Sequence, residues 1–320
     1  MGWWQVDADT LASSRFVISE AAEATACLFA LHRPSAARPG DREWLDAHLP
    51  AYRARLAADP VTALLVRTAL GRAWIADFVT PTPPLDAHLD EELDRIRATP
   101  PETAWADLEV AARGQIPAEL RRGDLGDRLA DLLAWVWAES ALPYWPKRRR
   151  VLEADVVART GHLTQGGWAA ALDDLRPGMR WLGGSRLQIN THDYPPRDVK
   201  GAQLLFVPVT PRQAWVSWDA AQRRFAVIYP CSGLLAAPAA TPVPRALARL
   251  VGTARAAVLM LLDSPKSTTQ LVALTGQSLG SVGGHLKVLR DAGLVERRRA
   301  GRSVLYYRAP AGETLVNASR

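Results

Sequence analysis

The stretch "SLGSVGGHLKVLRDAGLVERRR", residues 278–299, decides how the C-terminal part of the chain folds. Ser278 is a favoured helix N-cap, and the apolar residues that follow return at helical spacing. They are Leu279, Val282, Leu286 and Leu289. A helix is therefore predicted over residues 278–292. It contains three glycines, each of which costs about 1 kcal/mol relative to alanine in a helix interior.

Two further helices are predicted before this one. Residues 245–262 place seven apolar side chains on one broad face, which is typical of a helix packed on a core. These are Leu247, Leu250, Val251, Ala254, Val258, Leu261 and Leu262. Ser267 and Gln270 have the spacing of a capping box, which starts a short second helix that Gly276 ends. Helix, short helix, tight turn and helix form the order of a helix-turn-helix.

A basic hairpin is predicted after the third helix. In "LVERRRAGRSVLYYR", residues 294–308, two strand-like runs flank a tight turn at Gly301. Arginines gather near this turn, at Arg297, Arg298, Arg299 and Arg302. Such guanidinium groups can reach phosphates or enter a minor groove. A charge run at a hairpin tip is often only solvated, but its attachment to a helix-turn-helix favours contact with DNA.

The positive charge of the chain is local. The net charge is +6, from 39 Lys plus Arg against 33 Asp plus Glu. Residues 245–310 alone hold eleven basic and three acidic side chains, so the remainder is slightly acidic. The charge therefore indicates a nucleic-acid partner for the C-terminal segment, and not for the whole chain.

Residues 246–310 resemble the winged-helix domain of the ArsR-type bacterial transcriptional repressors. "SVGGHLKVLRDAGLV" parallels the family pattern V-S-x-H-L-x-x-L-x-x-A-G-L-V, and the basic wing follows it. The larger part, with "ALPYWPKRRRVLEADV" and "IYPCSG", resembles the uncharacterised N-terminal region of actinobacterial ArsR-like regulators. The resemblance implies a cytoplasmic transcription regulator, commonly a repressor, that binds double-stranded DNA as a homodimer on a near-palindromic site.

The chain departs from that family at two places. Metal-sensing members carry a Cys-x-Cys pair before the recognition helix, and "TQLVALTG" has neither cysteine nor histidine, so no metal and no cofactor is expected there. The other departure is Gly283 and Gly284, where a serine and a large polar residue are common. Three explanations for these glycines stay open. They allow the helix backbone to approach DNA closely, they avoid crowding against the neighbouring helix, or they mark a recognition helix that has lost part of its ability to read the DNA sequence.

A helical projection places Gly280, Gly284, Lys287 and Asp291 opposite the buried arc. The face that meets DNA then offers few long side chains, so base reading depends on Ser281, His285, Lys287 and Arg290, with DNA shape sensed by the wing. The predicted DNA-binding set also includes the first residues of the second and third helices and the glycines of the third helix. The full set is Ser267, Thr268, Ser278, Ser281, Gly283, Gly284, His285, Lys287, Arg290, Arg297, Arg298, Arg299 and Arg302.

The Pro- and Ala-rich stretch at 237–244 predicts a linker between a domain at 1–236 and a winged helix at 245–320. Helical spacing covers residues 43–58, 61–79, 85–98, 101–113, 117–142, 147–160 and 165–175, and strand-like runs lie between 180 and 230. The predicted fold class is mainly α (α+β): a large helical N-terminal domain with a small, mostly antiparallel sheet, plus a C-terminal winged helix-turn-helix.

Two interpretations of the N-terminal domain stay open. All twelve tryptophans precede residue 219; they either fill its core or line a pocket for an apolar or planar ligand, such as a small-molecule effector. A rival function is therefore a ligand-binding or enzyme-like N-terminal domain, with the winged helix used for protein contacts. The basic run 147–150 indicates a charged helix start, or a contact with DNA or an acidic partner.

No enzyme is predicted. Cys231 and Ser232 stand in a turn after a strand, but no nucleophile-elbow pattern surrounds them. His192 and Asp193 lack a second histidine at metal-binding spacing. The N-terminus shows no basic leader before an apolar run, and no stretch has the length of a membrane span, so no membrane contact is expected.

Overall fold

The structure is a computed structural model that describes residues 2–35, 41–71, 74–86, 88–172, 175–176, 178–191, 194–231, 243–263, 265–275, 277–300 and 303–319. These residues divide into two units, which are described separately. The first holds the described residues up to 146 and those from 159 to 231, and the second holds 147–158 and the described residues from 243 onward. No helix among the described residues is long and apolar enough to cross a membrane.

Helices dominate the first part of unit one. Their bounds are α1 Ala8–Ser13, α2 Glu20–His32, α3 Asp41–Ala58, α4 Pro60–Ala69, α5 Leu89–Arg97, α6 Pro101–Ala112, α7 Leu125–Val136 and α8 Trp145–Leu172, which continues through the second unit. Shorter helical turns lie at Asp77–Val79, Ala118–Leu120, Trp137–Ala141 and Leu142–Tyr144. Asp59 caps α4, and its carboxylate accepts a hydrogen bond from the Thr62 backbone N–H at 3.1 Å.

Several helices are shorter than predicted. The helix expected over 61–79 ends at Ala69, because Leu70 and Ile75 form a bridge that turns the chain. Ala76, Phe78 and Val79 are nevertheless buried. They are apolar because they belong to the core, and their spacing happens to match that of a helix. The segment 165–175 is broken at Gly167, whose φ of 68° lies in the left-handed region.

Two four-stranded sheets complete unit one. The strands are β1 Trp3–Gln5, β2 Arg15–Phe16, β3 Arg180–Gly183, β4 Arg186–Gln188, β5 Arg197–Asp198, β6 Gln203–Val209, β7 Trp215–Asp219 and β8 Arg224–Pro230. One sheet has the order β3-β4-β1-β5 and the other β2-β6-β8-β7. A shared core of buried side chains, including Trp4, Leu187, Phe206 and Tyr229, packs against them.

The mainly α (α+β) fold class is confirmed, but the prediction of one mostly antiparallel sheet is wrong. Both sheets are mixed: β6 pairs with β2 and β8 in parallel, and β1 pairs with β5 in parallel. The physical signal was in the sequence. The runs "QLLFVPV" and "RFAVIYP" are nearly continuous in apolar residues, which is typical of central parallel strands covered on both faces.

A buried carboxyl group makes the stability of unit one depend on pH. Glu92 is 1% exposed and accepts a hydrogen bond from the Ser19 hydroxyl at 3.0 Å. Burial raises the pKa of Glu92 from 4.5 to about 7. Between these values the folded chain holds a proton that the unfolded chain has lost, so the unfolding free energy falls as pH rises from about 4.5 to 7.

We therefore expect Glu92→Gln to stabilise the protein at pH 8 by about 2 kcal/mol, because no charge has to be buried. The amide oxygen still accepts from Ser19. Chemical denaturation at several pH values measures the effect, with the exposed neighbour Glu91→Gln as control. An unfolding free energy that keeps its full decline between pH 5 and 7 in Glu92→Gln would contradict the assignment.

Unit two contains the winged helix. Its elements from residue 245 are α9 Arg245–Val251, α10 Thr253–Leu261, β9 Lys266–Ser267, α11 Thr268–Thr275, α12 Leu279–Asp291, β10 Val295–Ala300, β11 Ser303–Arg308 and α13 Pro310–Ala318. The three strands pair in the order β10-β11-β9, all antiparallel. Its core collects buried side chains from α9 to α13, including Leu259, Leu271, Leu286, Val295 and Val316.

Two features of unit two differ from the sequence expectation. The helix predicted over 245–262 is broken at Gly252, whose φ is 85°, and Leu250 is 68% exposed instead of joining the apolar face. Residues 147–158 also belong to this unit, and the Gln270 side chain donates to the Ala154 carbonyl at 3.3 Å. The linker expected at 237–244 lies outside the described residues apart from Val243 and Pro244, so the domain boundary stays a prediction.

Candidate nucleic-acid interface

The capping box predicted at the start of α11 is present. The Gln270 side chain accepts from the Ser267 backbone N–H at 2.7 Å, and the Ser267 hydroxyl accepts from the Gln270 N–H at 3.2 Å. Ser267 is 7% exposed and Thr268 is half-buried. The Ser267 side chain therefore stabilises the helix end, and any contact of this pair with DNA stays a prediction.

The start of α12 is fixed by Ser278. Its hydroxyl accepts from the Ser281 N–H at 3.2 Å and donates to the Ser281 hydroxyl at 3.0 Å. Both residues are exposed. Gly293, with φ 69°, follows the end of the helix, in agreement with the helix predicted over residues 278–292.

The buried and exposed faces of α12 agree closely with the helical projection. Val282, Leu286 and Leu289 are buried in the core of unit two. The opposite face consists of Gly280, Gly284, Lys287 and Asp291, all exposed, with exposed Ser281 and half-buried Gly283 and His285 beside it. Leu279 is the exception, because it is 62% exposed and not part of the apolar arc. One face of α12 is thus a shallow, mostly polar surface.

The three glycines of α12 have open space around them. No atom of the described residues lies within 4 Å of a Cβ placed on Gly283 or Gly284, and a Cβ on Gly280 would meet only the Ser278 hydroxyl at 4.0 Å. Relief of crowding against a neighbouring helix therefore does not explain them. The two explanations that depend on DNA remain.

The open space predicts a stabilising substitution. We expect Gly283→Ala and Gly284→Ala each to raise the unfolding free energy by up to about 1 kcal/mol, because alanine favours the helix and meets no obstacle. Urea denaturation of the full chain, followed by circular dichroism, measures this. A loss of stability in either variant would show that a hidden contact requires the glycine.

The hairpin of β10 and β11 carries three exposed arginines. Arg297, Arg298 and Arg299 face Tyr306, Leu305 and Val304 across the hairpin. None of the three forms an ion pair with another residue in the part of the chain that the structure describes. Because side chains alternate along a strand, Arg297 and Arg299 share one face and Arg298 has the other. Arg302 and the turn at Gly301 lie outside the described residues.

The two basic residues of α12 differ in their surroundings. Lys287 is exposed and free of ion pairs with described residues, whereas the Arg290 guanidinium lies 3.1 Å from the Asp291 carboxylate. This pair is solvent-exposed and contributes little to stability. Lys287 is therefore the more available partner for a phosphate.

Sequence reasoning missed the residue that anchors the hairpin. Arg308 donates from Nε to the Leu259 carbonyl at 2.8 Å and from Nη2 to the Met260 carbonyl at 2.7 Å, and it pairs with Glu313 at 3.0 Å. It thereby neutralises the C-terminal end of α10 and joins it to β11 and α13. The helix α13 was also missed, although Pro310 is a favourable first helical residue.

Of the residues suspected of chemistry, the structure describes Cys231. Cys231 is 0% exposed, so its thiol cannot meet a substrate in this structure. Ser232, His192 and Asp193 lie outside the described residues. Within the described ranges, no group of three or more His, Cys, Asp and Glu residues could hold a metal ion.

The geometry of α10 to β11 defines the class of unit two: a winged helix-turn-helix, the class that DNA-binding regulators use. Residues 252–297 match the family model described as "Bacterial regulatory protein, arsR family". The C-terminal part of the chain therefore carries an ArsR-family helix-turn-helix domain, which points to a DNA-binding transcription regulator and not to an enzyme. No curated protein and no solved structure matches the chain.

Proposed function

We propose that this protein is a sequence-specific transcription regulator, a repressor, that binds double-stranded DNA as a homodimer. In this proposal α12 enters the major groove and the wing contacts the adjacent backbone or minor groove. The observation that carries it is the combination of an exposed, glycine-containing face of α12 with a hairpin in which Arg297, Arg298 and Arg299 form no ion pair with any described residue. Such a helix can approach the groove floor closely, while the arginines supply affinity.

The small reading surface supports a dimer. The polar side chains on or beside the exposed face of α12 that can donate a hydrogen bond to a base or phosphate are Ser281, His285, Lys287 and Arg290. One such helix discriminates few base pairs, and each mismatch costs about 1–3 kcal/mol. Two copies on a near-palindromic site double the number of base pairs read, so a homodimer provides the specificity that one copy lacks.

The test uses the full chain, because a fragment of residues 240–320 would lack the 147–158 segment of unit two. Labelled genomic fragments, including the promoter of the protein's own gene, are titrated in the presence of excess unrelated duplex at about 0.15 M salt. We expect at least one fragment to be retained selectively, with a symmetric footprint. Equal retention of all fragments, or of none, would favour the rival function, in which unit one carries the main activity.

A further inference from the structure

A cleft of about 340 Å³ opens in unit one. It lies between the C-terminal end of α2, the chain that follows α4, and strand β7. Its walls include Trp74, Arg176, Tyr194, Trp215 and Trp218. The volume is at the lower end of the range for small-molecule sites, which is about 300–1,000 Å³, so a ligand of one or two rings fits it. We name it the aromatic cleft.

One wall of the aromatic cleft is built from half-buried rings. The Trp74 ring lies edge-to-face against Tyr194, with centroids 4.9 Å apart, and against Trp218 at 6.0 Å. Trp74, Tyr194 and Trp218 are all half-buried, unlike Trp4, Trp137 and Trp145, which are buried in the interior. Some tryptophans therefore fill the core and others line a cleft, while the binding of a ligand there stays a prediction. Aromatic surface left partly in water favours a planar, apolar partner.

Arg176 supplies a cation that has no hydrogen-bond partner for two of its nitrogen atoms among the described residues. Its Nε and Nη1 atoms are buried, and neither donates a hydrogen bond to any residue that the structure describes. Burial lowers the pKa of Arg176 to about 10, and no carboxylate of the described residues offsets that effect. The side chain is still protonated at neutral pH. A buried donor without an acceptor costs about 1–3 kcal/mol, and more when it is charged, so an anion bound beside Arg176 would offset that cost.

The other charged groups of the aromatic cleft are already engaged. Arg33 donates to the Leu70 carbonyl. Asp77 interacts with Arg197, whose guanidinium stacks over the Trp218 ring at 3.8 Å, and burial together with Asp107 raises the pKa of Asp77 to about 6. Among the described residues of the cleft, Arg176 is thus the guanidinium with open donors.

We propose that the aromatic cleft binds a small planar aromatic carboxylate, whose carboxylate oxygens accept hydrogen bonds from Arg176 while its ring packs against Trp74, Tyr194 and Trp218. A guanidinium and a carboxylate are both planar and match in a two-point pairing. The Arg176 guanidinium carries a single positive charge. It therefore matches the single negative charge of a carboxylate better than the two charges of a phosphate dianion. The proposal concerns binding in unit one and does not depend on the DNA-binding function.

The test is isothermal titration calorimetry of the full chain with 2-naphthoate and with its neutral isostere 2-naphthamide. We expect the carboxylate to bind at least about tenfold more tightly than the amide. Arg176→Gln should abolish this difference, whereas Arg186→Gln, at an exposed arginine of β4 outside the cleft, should preserve it. Trp218→Leu should weaken both probes to a similar degree, because it removes ring contact and not charge.

The folding of the key variant has its own measurement. Without ligand, Arg176→Gln should melt at the same temperature as the parent protein or higher, because it removes an unpaired buried guanidinium. Equal affinity for naphthoate and naphthamide, or full naphthoate affinity in a folded Arg176→Gln variant, would overturn the proposal. So would the absence of binding heat with 2-naphthoate, phenylacetate and indole-3-acetate at concentrations up to about 1 mM.

Discussion

Replacement of Arg297, Arg298 and Arg299 by alanine is expected to weaken binding to all DNA duplexes alike, by about tenfold or more at 0.15 M salt. The three guanidinium groups are exposed and have no ion-pair partner among the described residues, so their charge is available for phosphates. Each lost phosphate contact lowers the slope of log K against log salt by roughly 0.9.

The alternation of side chains on β10 sharpens this expectation. If one face of the wing meets DNA, Arg297 and Arg299 act together, and the slope falls by about 1.8; if both faces do, it falls by about 2.7. Fluorescence anisotropy over a series of salt concentrations measures the slope. The control is Arg42, Arg53 and Arg212 changed to alanine, which removes the same charge from exposed positions in unit one. If the slope is unchanged when Arg297, Arg298 and Arg299 are replaced by alanine, the wing does not contact DNA.

The second large effect is expected at Gly284. A Gly284→Gln variant should lose about tenfold to a hundredfold in affinity for the preferred site, or prefer a different sequence, because a long side chain enters the face of α12 that meets DNA. The fold should not suffer, since the space around Gly284 is open in the described chain. Stability and DNA affinity therefore respond in opposite directions to loss of this glycine, which a structural role alone does not predict.

Gly114→Gln is the matched control for that experiment. Gly114 is also exposed, with no described atom near a Cβ placed on it, but it lies in unit one. We expect this variant to bind DNA as the parent protein does. Unaltered site preference and affinity in Gly284→Gln would mean that α12 does not face DNA as proposed.

Sequence patterns predicted the winged helix well because its signals are local. Ser267 with Gln270, Ser278, and the period of Val282, Leu286 and Leu289 each depend on neighbours within a few residues, and each has the predicted role. The prediction that Leu250 and Leu279 are buried was wrong. The period of apolar residues shows which side of a helix faces the core, but it does not show where along the helix the buried surface ends. The break at Gly252 was missed for a similar reason, since the apolar pattern continues across it.

The structure of unit one was harder to predict, because the aromatic cleft and the two sheets bring together residues that lie far apart in the chain. Strand β6 pairs in parallel with β2 and with β8, and the edge strand β7 lies between β6 and β8 in sequence. The aromatic cleft joins residues from Phe29 to Trp218. Arg176 carries no local signal, because its importance comes from the lack of an acceptor around it among the described residues. The distribution of tryptophans indicated that such a pocket was an option, but not where it lies.

Sequence-specific DNA binding through α12 and the wing is tested most directly by selection of binding sites from genomic DNA with the full chain, run in parallel with the triple arginine-to-alanine variant and the Gly284→Gln variant. We expect an enriched near-palindromic sequence for the parent protein, weaker enrichment of that sequence by the variant with Arg297, Arg298 and Arg299 changed to alanine, and a lost or altered sequence for Gly284→Gln. An absence of any enriched sequence, or the same sequence enriched equally by all three proteins, would contradict this mode of binding.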